Sequence, residues 1–405
     1  MERRVFVIGA GIISAIGVGK DATIQSIMAG ETGIMPVKHL VTDHSYLPVG
    51  EVKMSNAEMS QALAVNYPCN ELRTVLLGMY AAKEAVEEAN LTATELKSAA
   101  FIGGTTVGGM DKTERHFKKV MDTQAEAPDS GELKYNDCGY STDFIADYIG
   151  KFKIVTTSST ACSSAANAII MGANLIKAGI VDIAVVGGSE ALSKFHLNGF
   201  NTLMILDKER CRPFDKGRAG INLGEGAAFL VLESQESAVK RGAKVLAELK
   251  GYGNSCDAFH QTATSENGEG AYLAMRKAID MAHLNPSDID YVNAHGTGTP
   301  NNDECEVAAM ERIWGCSLPF FSSTKSFTGH TTSASGSIEA VVSILCMEKG
   351  IIPQNLGFTT PIKEGATPVQ KTQSERTIKN VLNNSFGFGG NDSSLIFSKY
   401  EESHG

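Results

Sequence analysis

Residues 153–179, KIVTTSSTACSSAANAIIMGANLIKAG, place a β-branched run directly ahead of an alanine-rich one. Ile154, Val155, Thr156 and Thr157 predict a buried strand, because β-branched side chains pack well on a pleated surface and lose freedom in a helix. Ala165 to Ala178 carries little polar surface on any face, which predicts a helix buried all round. Between them lies Thr160-Ala161-Cys162-Ser163-Ser164. This order puts the Cys162 thiol at the first turn of a central helix, where unpaired N–H groups and the helix dipole favour a thiolate. Small neighbours leave room for a substrate to reach the sulfur. A buried cysteine can also serve as a small hydrophobe, so the rest of the chain has to decide.

At 405 residues the chain exceeds one ordinary hydrophobic core, and two domains or a duplicated unit are expected. With 42% hydrophobic and 20% charged residues it has the composition of a globular protein. A net charge of -10 works against nucleic acid or an anionic membrane as a general partner. No apolar run is long enough to span a bilayer, so membrane insertion is not expected. The eight cysteines are scattered and form no C-x-x-C pair. That pattern predicts neither a metal site nor a disulfide framework, and it suits a cytoplasmic protein. The opening MERRVFVIGAGIISAIGVG imitates an export signal, but its glycines and the following Lys20-Asp21 read as a buried strand and loop.

The expected elements alternate. Strands are read at Arg4 to Ile8, Ala99 to Gly103, Ile183 to Gly188, Ala227 to Leu232, Val245 to Tyr252, Ile289 to Ala294 and Val381 to Ser385. Helices are read at Asp21 to Ala29, Leu72 to Asn90, Gly270 to Leu284 and Ser335 to Lys349. Asp122 to Asn136 reads as an exposed insertion. Gly9-Ala10-Gly11 begins like a dinucleotide fingerprint, but Ser14 stands where the third glycine belongs. The alternation predicts mostly parallel sheets flanked by helices. Gln235 to Gly242 reads as a helix into a turn, which divides the chain into 1–242 and 243–405. Each half carries a strand, a functional-looking turn and an apolar helix, as a duplication would.

Four stretches now fall together: Thr160-Ala161-Cys162-Ser163-Ser164, Asn293-Ala294-His295-Gly296-Thr297-Gly298-Thr299-Pro300, Ser323-Thr324-Lys325-Ser326-Phe327-Thr328-Gly329-His330 and Asn384-Ser385-Phe386-Gly387-Phe388-Gly389-Gly390-Asn391. With Cys211-Arg212-Pro213-Phe214-Asp215 and Leu223-Gly224-Glu225-Gly226, they resemble the β-ketoacyl-acyl-carrier-protein synthases of the elongating Cys–His–His type, in the family's order and over nearly the whole chain. The resemblance implies an α/β thiolase fold, two similar halves stacked in five layers. It also implies a homodimer with the strand before Cys162 at its interface. The implied reaction is a decarboxylative Claisen condensation of an acyl thioester with malonyl-acyl-carrier protein, in fatty-acid, polyene or polyketide synthesis. No cofactor is expected, since phosphopantetheine arrives on the carrier.

The chemistry explains the residue types. A thiolate can hold an acyl group at almost no cost in energy, and Cys162 is the expected nucleophile. Decarboxylating a malonyl thioester builds enolate charge on one oxygen, and two imidazoles aimed at it, His295 and His330, would stabilise that charge without a metal. By resemblance, Lys325 supports both rings, with Glu306 as a candidate counter-ion. Asp303 and Glu306 fix the loop after His295, and Thr297 and Thr299 hydrogen-bond the pantetheine arm. Again by resemblance, the Phe388 amide joins that of Cys162 as an oxyanion hole, and the loop around Phe388 gates the acyl pocket. Val107, Phe200 and Met204 are candidates for the pocket wall.

Some stretches depart from the family pattern. Gly390-Asn391-Asp392 stands where Gly-Thr-Asn is usual, and Gln61 to Glu71 is poor in the basic residues that often meet the carrier. Docking therefore falls to Lys112, Arg115, Lys118, Lys119, Lys208, Arg210 and Arg212. The alternative within the superfamily, a catalytically weak chain-length partner subunit, typically lacks the nucleophile. A degradative thiolase would carry a second cysteine near the C-terminus, and a dinucleotide oxidoreductase rests on Gly9 and Gly11 alone.

Overall fold

The computed structural model describes residues 3–66, 68–121 and 130–401, the side chains of 116–121 and 130 excepted. The first half builds β1 (Val5–Ser14), α1 (Arg73–Glu88), β2 (Ala100–Gly104), β3 (Ile154–Ser158), α2 (Ser164–Lys177), β4 (Ile183–Glu190) and β5 (Gly226–Ser234). The second builds β6 (Ala247–Cys256), α3 (Glu269–Met281), β7 (Tyr291–Asn293), α4 (Pro300–Trp314), β8 (Phe320–Ser322), α5 (Ser335–Lys349), β9 (Asn380–Gly387) and β10 (Asn391–Ser398).

The strand order runs β3-β2-β4-β5-β1 in the first half and β8-β7-β9-β10-β6 in the second. Each half thus repeats one order, third-second-fourth-fifth-first. The orientations repeat as well. β2 lies parallel to β3 and β4, and β7 lies parallel to β8 and β9. The remaining neighbours, β4 with β5, β5 with β1, β9 with β10 and β10 with β6, are antiparallel. The sheets are therefore mixed, not mostly parallel as the alternation suggested. The antiparallel strands are joined by returns that the helix-strand alternation alone does not reveal. The two sheets touch edge to edge where Phe6 faces Glu248 and Val7 faces Ala247.

Period-two alternation along the strands assigns the layers. Val5 and Val7 face an inner core with Ile169 and Ala173 of α2, Val341 and Leu345 of α5, and Leu395 and Phe397 of β10. Phe6 and Ile8 face outward onto Val75, Leu76 and Met79 of α1. On the far side, Val292, Leu382 and Ile396 meet Met275 and Ile279 of α3 and Met310 of α4. The order is helix, sheet, helix pair, sheet, helix. This is the five-layered thiolase fold.

β1 continues through the glycines that resembled a nucleotide loop. A Cβ on Gly9 would lie 2.3 Å from the Ala85 carbonyl oxygen, and one on Gly11 2.1 Å from that of Ala81. Those glycines let α1 lie directly on the strand, and nothing remains of the dinucleotide motif. The expected insertion at Asp122 to Asn136 falls partly outside the described residues. Its last part, Ser130–Asn136, forms a short 3-10 segment. None of the eight cysteines is paired. Among the described residues, no helix is long and apolar enough to cross a membrane.

Candidate active site

The four motifs meet at the carboxyl ends of β3, β7, β8 and β9, the edge at which α/β sheets commonly bind ligands. Cys162 sits just ahead of α2, and His330 just ahead of α5, in the corresponding turn of the other half. The Cys162 turn is tight. Ala161 has a φ of 52°, in the left-handed region that an alanine occupies only under constraint. The constraint comes from Ser164 Oγ, which donates to the Ala161 carbonyl at 2.7 Å and accepts from Thr160 N at 2.9 Å. Asn167 Nδ2 adds a bond to Thr160 Oγ1 at 2.8 Å.

His330 is held by its backbone. Its N–H donates to Asn222 at 2.7 Å and its carbonyl accepts from Gly224 at 2.9 Å, so the Leu223–Gly226 motif serves as its brace. A Cβ on Gly224 would lie 2.3 Å from the Thr328 carbonyl oxygen, so only glycine fits there. The ring reaches Cys162 Sγ from Nε2 at 3.0 Å and Ser335 Oγ from Nδ1 at 2.8 Å. His295 follows β7 and stands nearly perpendicular to His330, with ring centroids 5.2 Å apart. Lys325 Nζ lies 3.2 Å from His295 Nδ1 and 2.5 Å from Glu339 Oε1. All of these side chains are buried.

Glu339 is the counter-ion of Lys325; Glu306, suggested for that part, does something else. Its two oxygens accept from the amides of His295 and Gly296, both at 2.8 Å, and Asn384 Nδ2 donates to it at 3.0 Å. It therefore shapes the turn that carries His295. Asp303 accepts from Phe214 N at 2.7 Å and Gly298 N at 3.1 Å. That links the Cys211–Asp215 stretch to the same turn. Thr297 and Thr299 hydroxyls bond each other at 2.8 Å and line the cavity.

The cavity has a volume of about 270 Å³ and runs from Cys162 past both imidazoles to Thr297, Thr299 and the Thr262–Thr264 stretch. Phe388 closes one side, its ring stacked on Phe200 with centroids 5.8 Å apart. The Phe388 amide N–H points at the Cys162 sulfur, where it favours the ionised form. Of the three candidate wall residues, only Phe200 lines this cavity. Met204 is 88% exposed on the surface, and Val107 lies away from the opening.

Burial dominates the electrostatics. It pushes the Cys162 thiol up to about 11, against the pull of Lys325 and the Phe388 amide. The thiolate expected from the helix terminus is thus not the resting form. Cys162 precedes α2 instead of lying within its first turn, and desolvation outweighs the favourable dipoles. Burial, then Lys325, hold both His295 and His330 well below the usual imidazole range, so both rings are neutral. A neutral His330 can accept the thiol proton. Burial lifts Glu339 to about 7, with Lys325 pulling the other way.

Sequence profiles of known families decide the membership. That of the β-ketoacyl synthase N-terminal domain matches residues 2–238, and that of the C-terminal domain matches residues 246–359. The chain belongs to the β-ketoacyl synthase family. The 3-oxoacyl-[acyl-carrier-protein] synthase 2 of Staphylococcus aureus is 33% identical, over 99% of both chains. That of Vibrio harveyi is 32% identical over 99% of this chain and 100% of its own. Among solved structures, the ishigamide ketosynthase/chain length factor superposes with a TM-score of 0.92 at 32% identity, covering 99% of this chain and 100% of that one. A chain of the Xenorhabdus doucetiae complex of the ketosynthase ApeO with its chain length factor ApeC gives a TM-score of 0.83 at 29% identity, covering 98% of both chains.

Several members of the ketosynthase site were not anticipated from sequence. Glu339 is the lone acid within the buried run Ser335 to Met347, a signal that could have found it. Ser335 carries no such mark. Lys112, considered for carrier docking, is buried and paired with Glu71 and Glu132, each at 3.2 Å. The side chains of Lys118 and Lys119 lie outside the described residues.

Proposed function

We propose that this protein condenses an acyl group, held on Cys162, with malonyl-acyl-carrier protein to give a 3-oxoacyl-acyl-carrier protein. The Cys162 sulfur attacks the incoming thioester while His330 Nε2 accepts its proton. The oxyanion forms between the amides of Cys162 and Phe388, and the carrier thiol leaves with the proton. The malonyl carboxylate then departs as carbon dioxide, and its bonding electrons pass to an enolate whose oxygen accepts from the two imidazoles. The enolate carbon attacks the acyl carbonyl, forms the new carbon–carbon bond and releases the Cys162 sulfur as a thiolate, which takes a proton from solvent to restore the thiol. Thr297 and Thr299 take the pantetheine arm along the cavity. No resident cofactor enters any of these steps.

One observation carries this reading. A thiol, two neutral imidazoles and an inward-facing amide share one cavity with 3.0 Å between Cys162 Sγ and His330 Nε2. The chain-length partner reading has nothing comparable in its favour. The relatives are named 3-oxoacyl-[acyl-carrier-protein] synthases, and the solved neighbours include ketosynthases paired with chain length factors. A fatty-acid, polyene or polyketide chain therefore suits the site. We read residues 1–242 and 243–405 as its two halves.

We also infer a dimer of two copies in the cytoplasm. Its joint would be β3, a sheet edge that among the described residues pairs only with β2 and shows Val155 to solvent. Light scattering would give twice the chain mass if this is right. The deciding experiment for the chemistry incubates the enzyme with acyl- and malonyl-carrier thioesters of graded length. A mass shift on Cys162 and a 3-oxoacyl product are expected. Absence of both, with folded enzyme and loaded carriers, would end the proposal.

A further inference from the structure

The loop that carries Phe388 ends on an acid. Asp392 is the second residue of β10 and faces Phe386 on β9 and Ser255 on β6. Its side chain is 2% exposed, and Oδ2 has no hydrogen-bond partner among the described residues. It packs over the first turn of α3. A Cβ on Gly270 would meet Asp392 Oδ2 at 2.1 Å and Asp257 Cβ at 2.8 Å, so the two aspartates share one small space. The Asp257 carboxylate is committed to Ser265, whose N and Oγ donate at 2.7 and 2.8 Å.

From α4 come Glu306, itself an acid, and the Cys305 thiol, which both aspartates disfavour as a thiolate. Glu269, at the start of α3, is paired with Arg312. No lysine or arginine is among the groups that act on Asp392. An ionised Asp392 would therefore sit buried, unpaired and beside like charge, which is strongly unfavourable.

That space is also where the Phe388 loop is fastened. Gly389 N donates to Gln261 at 2.8 Å, and Asp257 N donates to Gly390 at 2.9 Å. Gly389 and Gly390 have φ of 81° and 77°, a left-handed pair that lets the loop fold over Cys162. The carboxyl of Asp392 thus lies beneath the latch between residues 387–390 and the 256–265 loop. It adjoins the loop that presents the Phe388 amide to Cys162.

We propose that Asp392 is a positioning residue for the Phe388 amide. As a neutral carboxyl it lets residues 387–390 lie closed over Cys162, and its ionisation beside Asp257 releases them together with the 256–265 loop. Burial first, then Asp257 and Glu306, push Asp392 from 3.8 up to about 7. The closed form keeps a proton that the opened, solvated carboxyl would give up. Closure is thus complete below the ordinary carboxyl range and is lost as pH rises through about 7.

The inference rests on reading 387–390 as the gate of the proposed ketosynthase, and its test needs no turnover. Hydrogen exchange of the whole enzyme is followed from about pH 5 to about pH 8, corrected for intrinsic amide rates, with α2 as the reference. Opening of 257–265 and 387–392 should rise at least about tenfold between about pH 5 and 7 and then level off. In Asp392→Asn, which keeps the shape and cannot ionise, it should stay flat. If that variant does not fold, Asp257→Asn should shrink the rise, because Asp392 loses the charge beside it. An unchanged rise in either variant, or none in the wild type, would overturn the inference. A normal rise in a protein that forms no 3-oxoacyl product would support it and count against the ketosynthase reading alone.

Discussion

Lys325 donates from Nζ to Nδ1 of His295 across 3.2 Å. With Nδ1 occupied as an acceptor, the proton of the neutral His295 ring sits on Nε2, where a substrate oxygen can accept it. His330 is held differently. Its Nδ1 faces the Ser335 hydroxyl at 2.8 Å, which can either donate or accept. One imidazole is locked in one tautomer, and the other can exchange. The proposed cycle requires this division, because His330 first accepts the thiol proton at Nε2 and later donates from the same atom.

Replacing Lys325 with Met should therefore remove the lock and lower decarboxylation of malonyl carrier by about a hundredfold. It also strands Glu339, so stability should fall by about 3–5 kcal/mol. Adding Glu339→Gln should recover most of the thermal stability and none of the turnover. Parallel recovery of both would mean that the lysine is only structural.

Ser335→Ala leaves His330 Nδ1 without a partner able to change roles. Turnover should drop by about tenfold or more while the Michaelis constant for the acyl carrier changes little. Steady-state kinetics with both substrates would separate the two effects. A change confined to the Michaelis constant would contradict the proton-exchange role.

The resting thiol predicts a pH response. Since burial raises Cys162 from 9.0 to about 11, its contribution to stability is complete below pH 9.0 and falls away as pH climbs through about 11. Alkylation by iodoacetamide should keep accelerating over that interval. Lys325→Met should slow it further, because the ammonium favours the thiolate. A labelling rate already level at neutral pH would refute this.

Gly387 leaves little room for a methyl group. A Cβ there would lie 3.0 Å from the Thr160 carbonyl oxygen and 3.1 Å from Cys162 N, one of the two proposed oxyanion donors. Gly387→Ala should push the Phe388 amide away and cost about a hundredfold in turnover, with melting little changed. Circular dichroism alongside acyl-transfer rates would check both halves of that expectation.

Of the residues proposed for carrier docking, Arg115 and Lys208 are exposed and Arg210 and Arg212 half-buried, the last lying beside the Gly298 turn. Charge reversal of Arg210 and Arg212 should raise the Michaelis constant for carrier-bound substrate several-fold, and less so at high salt. A pantetheine thioester without the carrier should be unaffected. Equal losses on both substrates would place these arginines elsewhere in the mechanism.

Much of the architecture was legible because it depends on near neighbours. The β-branched run before Cys162, the alanine-rich run after it and the apolar Ser335–Lys349 each act through contacts within a few residues, and they became strand, helix and helix as expected. The expected burial of the first did not follow, because β3 lies at the edge of the sheet with Val155 exposed, and α2 likewise shows Met171 to solvent. Strand direction was not legible. β4 and β5 read alike as apolar runs, yet one is parallel to β2 and the other antiparallel to β4. The choice lies in how the intervening chain returns, which no periodicity records.

The motifs named Cys162, His295, His330 and Lys325 because together, and in this order, they resemble those of one enzyme family; each residue alone is more often structural. They could not state charge. The thiolate expected at a helix terminus is a thiol, because desolvation at full burial outweighs the dipole, and burial is a property of the packed layers.

The amino-acid order by itself determined which side chains could do chemistry and which segments would be strand or helix, since both follow from covalent structure and local sterics. Only the stacking of α2 and α5 between two sheets decided that Lys325 meets Glu339 and not Glu306, and that Cys162 lies against His330. Those contacts join residues far apart in the chain. Their distances are set by how closely the layers pack.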